Sequence, residues 1–102
     1  MSGCAGAERP TAELAAADFA VEQAEASSAP SVAPAAVERA REKLDEAQAA
    51  ADADDNVRAR RLAEQATVDA RLAEARTDAE IANQNLEEMK TSIELLQEST
   101  AR

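Results

Sequence analysis

A chain of 102 residues bounds the reading to one small domain. Its 21 acidic against 11 basic residues, net charge of −10 and lack of histidine disfavour nucleic acid as a partner, which calls for a basic footprint, and remove the commonest general base, metal ligand and pH switch. Of the 102 residues, 28 are alanine and a single one, Phe19, is aromatic, so the chain can form much helix but only a thin core, which close helix spacing or self-association would offset.

Met1 to Arg9 are small and irregular in pattern and read as a flexible tether. The single cysteine, Cys4, lies in Ser2-Gly3-Cys4-Ala5-Gly6. That stretch resembles the end of a bacterial lipoprotein signal, in which small residues precede the cysteine that becomes lipidated. The apolar segment that should come before it is not in this sequence, so the reading expects Met1 to be an added start after an excluded leader. An unpaired cysteine also fits lipidation better than a disulfide framework.

The first helix is expected from about Pro10 to Ser27, with Pro10 in the first turn, Thr11 as a candidate cap, and Leu14, Ala17, Val21 and Ala24 as its apolar stripe. Phe19 falls well off that stripe and is either on a second contact face or exposed. Ser28 to Pro34 form a linker, in which Pro30 and Pro34 push Ala29 and Ala33 towards extended backbone. Its shortness predicts that the helices on either side are antiparallel neighbours. The second helix is expected from Pro34 to about Ala51, with Val37, Ala40, Leu44, Ala47 and Ala51 inward and Glu38 paired with Arg41.

After a turn at Asp52-Ala53-Asp54-Asp55-Asn56, with Asp54 or Asp55 as the N-cap, one helix of about 45 residues is expected from Asp55 to Ser99, roughly 65–70 Å long. Two apolar rows run along it. Ala59, Leu62, Ala63, Ala66, Ala70 and Ala73 form a small-residue stripe that closes a bundle. Val68, Leu72, Ala75, Ala79, Ala82, Leu86, Met89, Ile93 and Leu96 follow four-three spacing without a miss, with Leu72, Ala79, Leu86 and Ile93 at a and the rest at d. Near residues 68–75 one packing partner is expected to hand over to another. The first two helices are too short to cover the heptad row, so Ala79, Ala82, Leu86, Met89, Ile93 and Leu96 are the candidate seam for self-association or a partner helix.

Carboxylate pairs such as Glu87-Glu88 and Asp54-Asp55 lie on helix or turn rather than across a pocket and read as solvated surface. The acidic turn lacks the glycine and bidentate glutamate of a calcium loop. No catalytic residue, metal site or cofactor is therefore expected. Arg58, Arg60 and Arg61 open the long helix against its dipole. They are candidates for contact with anionic lipid headgroups, set against the simpler reading that they pair with the abundant acids of this chain.

Leu14 to Ala17, Ala29-Pro30 with Ala33-Pro34, Ala40 to Leu44 and Ala59 to Ala70 together resemble a family of small alanine-rich lipoproteins of Gram-negative bacteria, whose shared domain has no assigned function. The resemblance implies an envelope location, and related domains occur beside OmpA-like peptidoglycan-binding domains. Asp78 to Met89 is similar to the C-terminal part of the major outer-membrane murein lipoprotein, a trimeric coiled coil that ends in a peptidoglycan-linked lysine; here the end is Thr100-Ala101-Arg102. Ala5 after the cysteine agrees with outer-membrane sorting by the lipoprotein rule.

The expected fold is all-α: a three-helix antiparallel bundle over 10–76, with a long third helix extending as a coiled-coil arm over 77–102. The expected role is structural, a lipid-anchored periplasmic spacer or adaptor that self-associates or binds a partner helix, with peptidoglycan-associated proteins among its candidate neighbours. The rival reading is a soluble cytoplasmic helical binding module without an anchor.

Overall fold

The computed structural model describes residues 7–101, so Cys4 and the lipidation expected of it lie outside the described residues. The described chain is all-helical: α1 (Thr11–Ala26), α2 (Ala29–Val32), α3 (Pro34–Asp52) and α4 (Asn56–Ala101). It is also extended. A radius of gyration of 21.0 Å far exceeds the about 13 Å of a compact 100-residue domain. The 46 residues of α4 account for this, since at 1.5 Å per residue they reach about 69 Å.

Helices α1 and α3 both pack on α4 and on each other, and α2 lies against α4. Side-chain pairs give their directions. Arg60 Nε near the start of α4 lies 3.3 Å from Glu13 Oε2 near the start of α1, so these two run parallel. Arg41 of α3 pairs with Glu25 near the end of α1, and Arg9 ahead of α1 pairs with Asp52 at the end of α3, so α3 runs antiparallel to both. Arg41 was expected to pair with Glu38 on its own helix. It reaches Glu25 instead, with Nε 3.0 Å from Oε2 and a second, charge-assisted bond from Nη2 to Oε1. Such a bidentate, charge-assisted pair is stronger and more specific than a single contact, and it holds the Arg41 pKa above its ordinary value.

The core is mostly alanine. Leu14, Val21, Leu44 and Leu62 supply its bulk, while Ala17, Ala20, Ala24, Ala40, Ala47, Ala50, Ala51, Ala59, Ala63, Ala66 and Ala70 let the helices come close. A second cluster joins Ala29, Ala36, Val37 and Ala73. Thr77 is buried at the edge of this packing, and its Oγ1 donates to the Ala73 carbonyl at 2.8 Å, so no buried hydroxyl is left unpaired there.

The connections differ from expectation in three places. The linker is not extended throughout: Ala29–Val32 make a helical turn, with Pro30 in the first-turn position that needs no amide donor. Burial of Ala29 outweighs the bias of a residue before proline. Ala33, before Pro34, does leave the helical region, at φ −132° and ψ 58°. Ser27 ties this corner, its Oγ donating to the Ala24 carbonyl and accepting from the Ala29 amide. At the start of α1 the cap position belongs to Pro10 rather than Thr11. Pro10 sits at φ −79°, ψ 67°, the centre of an inverse γ-turn closed by the Thr11 amide on the Arg9 carbonyl.

The turn after α3 is a Schellman motif. The Asp55 amide donates to the Ala50 carbonyl and the Asp54 amide to that of Ala51, with Asp54 at φ 61° in the left-handed region. Asp54 thus closes α3 rather than opening α4, in a conformation that aspartate tolerates better than most residues. Asn56, the first residue of α4, donates from Nδ2 to the Ala7 carbonyl at 2.9 Å and so fixes the chain ahead of α1 at the start of α4.

Leu44, fully buried, and Phe19, 61% exposed, give contrasting expectations. Leu44→Ala should lower unfolding free energy by about 2–5 kcal/mol through cavity formation. Phe19→Ala should change it by less than about 0.5 kcal/mol. Urea titration followed by circular dichroism measures both.

Candidate partner-binding surface

Beyond Thr77, residues 78–100 of α4 are all exposed. Neither α1 nor α3 is long enough to follow α4 there, and about 36 Å of helix stands clear of the core. Its apolar residues are correspondingly bare. Leu86, Met89, Ile93, Leu95 and Leu96 are all more than half exposed, Leu96 most of all at 66%.

The bare row does not begin where the core ends. Val68 and Leu72, still alongside α1 and α3, are 64% and 40% exposed. At about 100° per residue, the buried row Ala59, Ala63, Ala66, Ala70, Ala73, Thr77 and the row Val68, Leu72, Ala75, Ala79 point to opposite sides of α4. The two rows overlap near residues 68–75 rather than meeting end to end: the core keeps the inner face to Thr77, and the outer face is exposed from Val68 onward. The candidate residues Ala79, Ala82, Leu86, Met89, Ile93 and Leu96 all lie exposed on that outer row.

Sequence spacing missed Ile81 and Leu95, which lie off the heptad row. Ile81 continues the inner face and borders a groove with Ser27, Ser28 and Thr77 where α1 ends. Its spacing of four from Thr77 was the available signal. A second groove, open to solvent, lies where residues 31–36 meet Arg76, Ala79, Glu80, Asn83 and Gln84. A third, between α3 and α4, brings Arg39, Lys43 and Arg61 beside exposed Val68.

The three arginines of the first turns part company. Arg60 lies between Glu13 of α1 and Glu64 one turn on. Arg61 borders the α3–α4 groove, and Arg58 is exposed. The carboxylates near Arg60 follow the simpler reading of that cluster for this one residue. Among the described residues no three of His, Cys, Asp and Glu are placed to hold a metal ion, and no helix is long and apolar enough to cross a membrane. Charge is unequally spread along α4: residues 57–76 carry five arginines against three acids, and residues 78–101 six acids against one lysine.

A model of a domain of unknown function, DUF4398, matches residues 12–89. The chain belongs to the DUF4398 family. The match spans α1 to α3 and α4 as far as Met89, so the DUF4398 region includes both the packed core and the first part of the bare outer row. It carries no assigned activity, and nothing in it ties the chain to lipoproteins or to the murein lipoprotein. No curated protein and no solved structure matches the chain.

Since no residue from Asp78 to Thr100 is buried, ending the chain after Asp78 should leave the core as stable as before, within about 0.5 kcal/mol. A chemical-denaturation midpoint lowered well beyond that would show that the core leans on the overhang.

Proposed function

We propose that this protein is a non-enzymatic helical spacer or adaptor of the bacterial envelope, anchored through a lipid on Cys4 and binding a second helix through the outer row of α4. In this reading residues 10–76 form a three-helix antiparallel bundle, with α2 as a turn in its first connection, and the part from residue 77 is a coiled-coil arm. The observation that carries it is the bare apolar row from Val68 to Leu96 on a helix that the rest of the chain does not cover. A monomeric helix surface of this length, apolar at every a and d position, has the pattern of one half of a helical interface.

Connectivity agrees with a spacer. Asn56 holds Ala7 at the start of α4, so the described chain begins at one end of the molecule. The tip of the arm lies at the other, about 68 Å away along α4. A lipid at Cys4 would hold the seam well clear of a membrane, as a spacer requires. Arg58 and Arg61 lie at the membrane end in this arrangement, where anionic headgroups would meet them.

Two measurements test the reading. Light scattering on the full chain should give a mass above that of the monomer, and Leu86→Asp with Ile93→Asp should return it to the monomer. In Gram-negative cells carrying the native gene, the protein should fractionate with the outer membrane, and Cys4→Ser should release it. A cytosolic product insensitive to Cys4→Ser would replace the envelope reading with that of a soluble binding module.

A further inference from the structure

We infer that the outer row of α4 takes a second copy of this chain running antiparallel, the two helices related by a two-fold axis at Gln84. The inference rests on reading that row as a helix-binding surface, and it adds the identity and direction of the partner.

Size matching along the row selects the arrangement. In an antiparallel pair, an a residue of one helix shares a layer with a d residue of the other. Centred on Gln84, the pairing sets Ala75 against Ile93, Ala79 against Met89 and Ala82 against Leu86, each layer made twice by symmetry. Leu72 then meets Leu96 at each end. Every layer of the middle joins one small and one large side chain, so the helices can keep a constant separation and fill the space between them. Sliding by one heptad loses this, placing Ala79 on Ala82 in one direction and Leu86 on Met89 in the other. A parallel, in-register pair stacks Ala75, Ala79 and Ala82 on their own copies, and Leu86, Met89 and Ile93 on theirs. Its axes would have to sit close at one end and splay at the other.

Charge favours the same direction. The overhanging half of α4, residues 78–101, has a net charge of −5, while residues 57–76 have +2. Parallel association sets the acidic half against its own copy. Antiparallel association draws it back towards Arg71 and Arg76 of the other copy and towards the groove lined by Arg39, Lys43 and Arg61. At the two-fold axis, Asn83 meets Asn83 and Asn85 meets Asn85, and each amide holds both a donor and an acceptor for its twin. The like-charged flanking pair, Arg76 with Lys90, lies at the rim, where salt screens it. The surface is open to such a partner, because every residue of the row from Val68 is exposed, and Val68 and Ala79 only border open grooves beside α3.

Distances between two labels test the arrangement. In a Cys4→Ser background, Gln84→Cys and Glu98→Cys would each carry a spin label; both positions lie away from the seam, on one side of the helix. Light scattering should report a dimer. The label pair at 84 should be separated only across the width of the two helices, while the pair at 98 should be separated further, by about 42 Å along the axis. Ala79→Leu should weaken the dimer by at least about tenfold by overfilling the layer it shares with Met89, and adding Met89→Ala should restore most of the loss. Equally short distances at both positions, a trimer mass, or a dimer tightened by Ala79→Leu would overturn the antiparallel pair and leave the helix-binding reading standing. A monomer at high micromolar concentration would overturn the inference and remove self-association from that reading as well.

Discussion

Close approach of α1 and α3 to the inner face of α4 is the contact on which the rest of the structure depends. Leu14, Val21, Leu44 and Leu62 contribute the larger buried surfaces, and four such side chains alone would bury too little to hold three helices. The alanines between them bury little each, but they let backbones approach until dispersion contacts become dense along the whole length of the packing. That dependence fits the small residues at Ala59, Ala63, Ala66, Ala70 and Ala73, and the ion pair of Arg41 with Glu25 lies at the margin of the core rather than in it.

The same contact sets the length of what remains uncovered. Helix α1 has 16 residues and α3 has 19, against 46 in α4. Packing on two short helices ends at Thr77, while helix propensity carries α4 on through a stretch with no glycine or proline. Beyond Thr77 the helix runs on without tertiary packing, and its apolar row there is bare. Charge is unevenly distributed along it, with arginines concentrated alongside the core and acids beyond it.

Much of this was legible in the residues, because three-four spacing maps directly onto a helix face. Leu14, Ala17, Val21 and Ala24 are buried, as are Val37, Ala40, Leu44, Ala47 and Ala51, and the whole row from Ala59 to Ala73. The failures are at connections and at long-range pairs. The turn at Ala29–Val32 forms against the local bias before proline because Ala29 is needed in a cluster with Ala36, Val37 and Ala73. Asp54 sits in the left-handed region because α3 must reverse into α4 at once, and local spacing holds no record of that angle. Arg41 reaches Glu25 rather than Glu38 because the packing of α1 on α3 brings that carboxylate within a bidentate contact, which spacing along one helix does not record.

The sequence by itself determined helical class, helix lengths and the existence of two apolar rows on the long helix, since these follow from periodicity and from the absence of breakers. Only the tertiary structure decided how far along α4 the core would use the small-residue row and how early the other is free. Both rows are apolar at helical spacing, and what separates them is which one α1 and α3 can approach more closely. The small-residue row admits that approach as far as Thr77. The heptad row, on the opposite side of the same helix, is therefore open from Val68, well before the core ends.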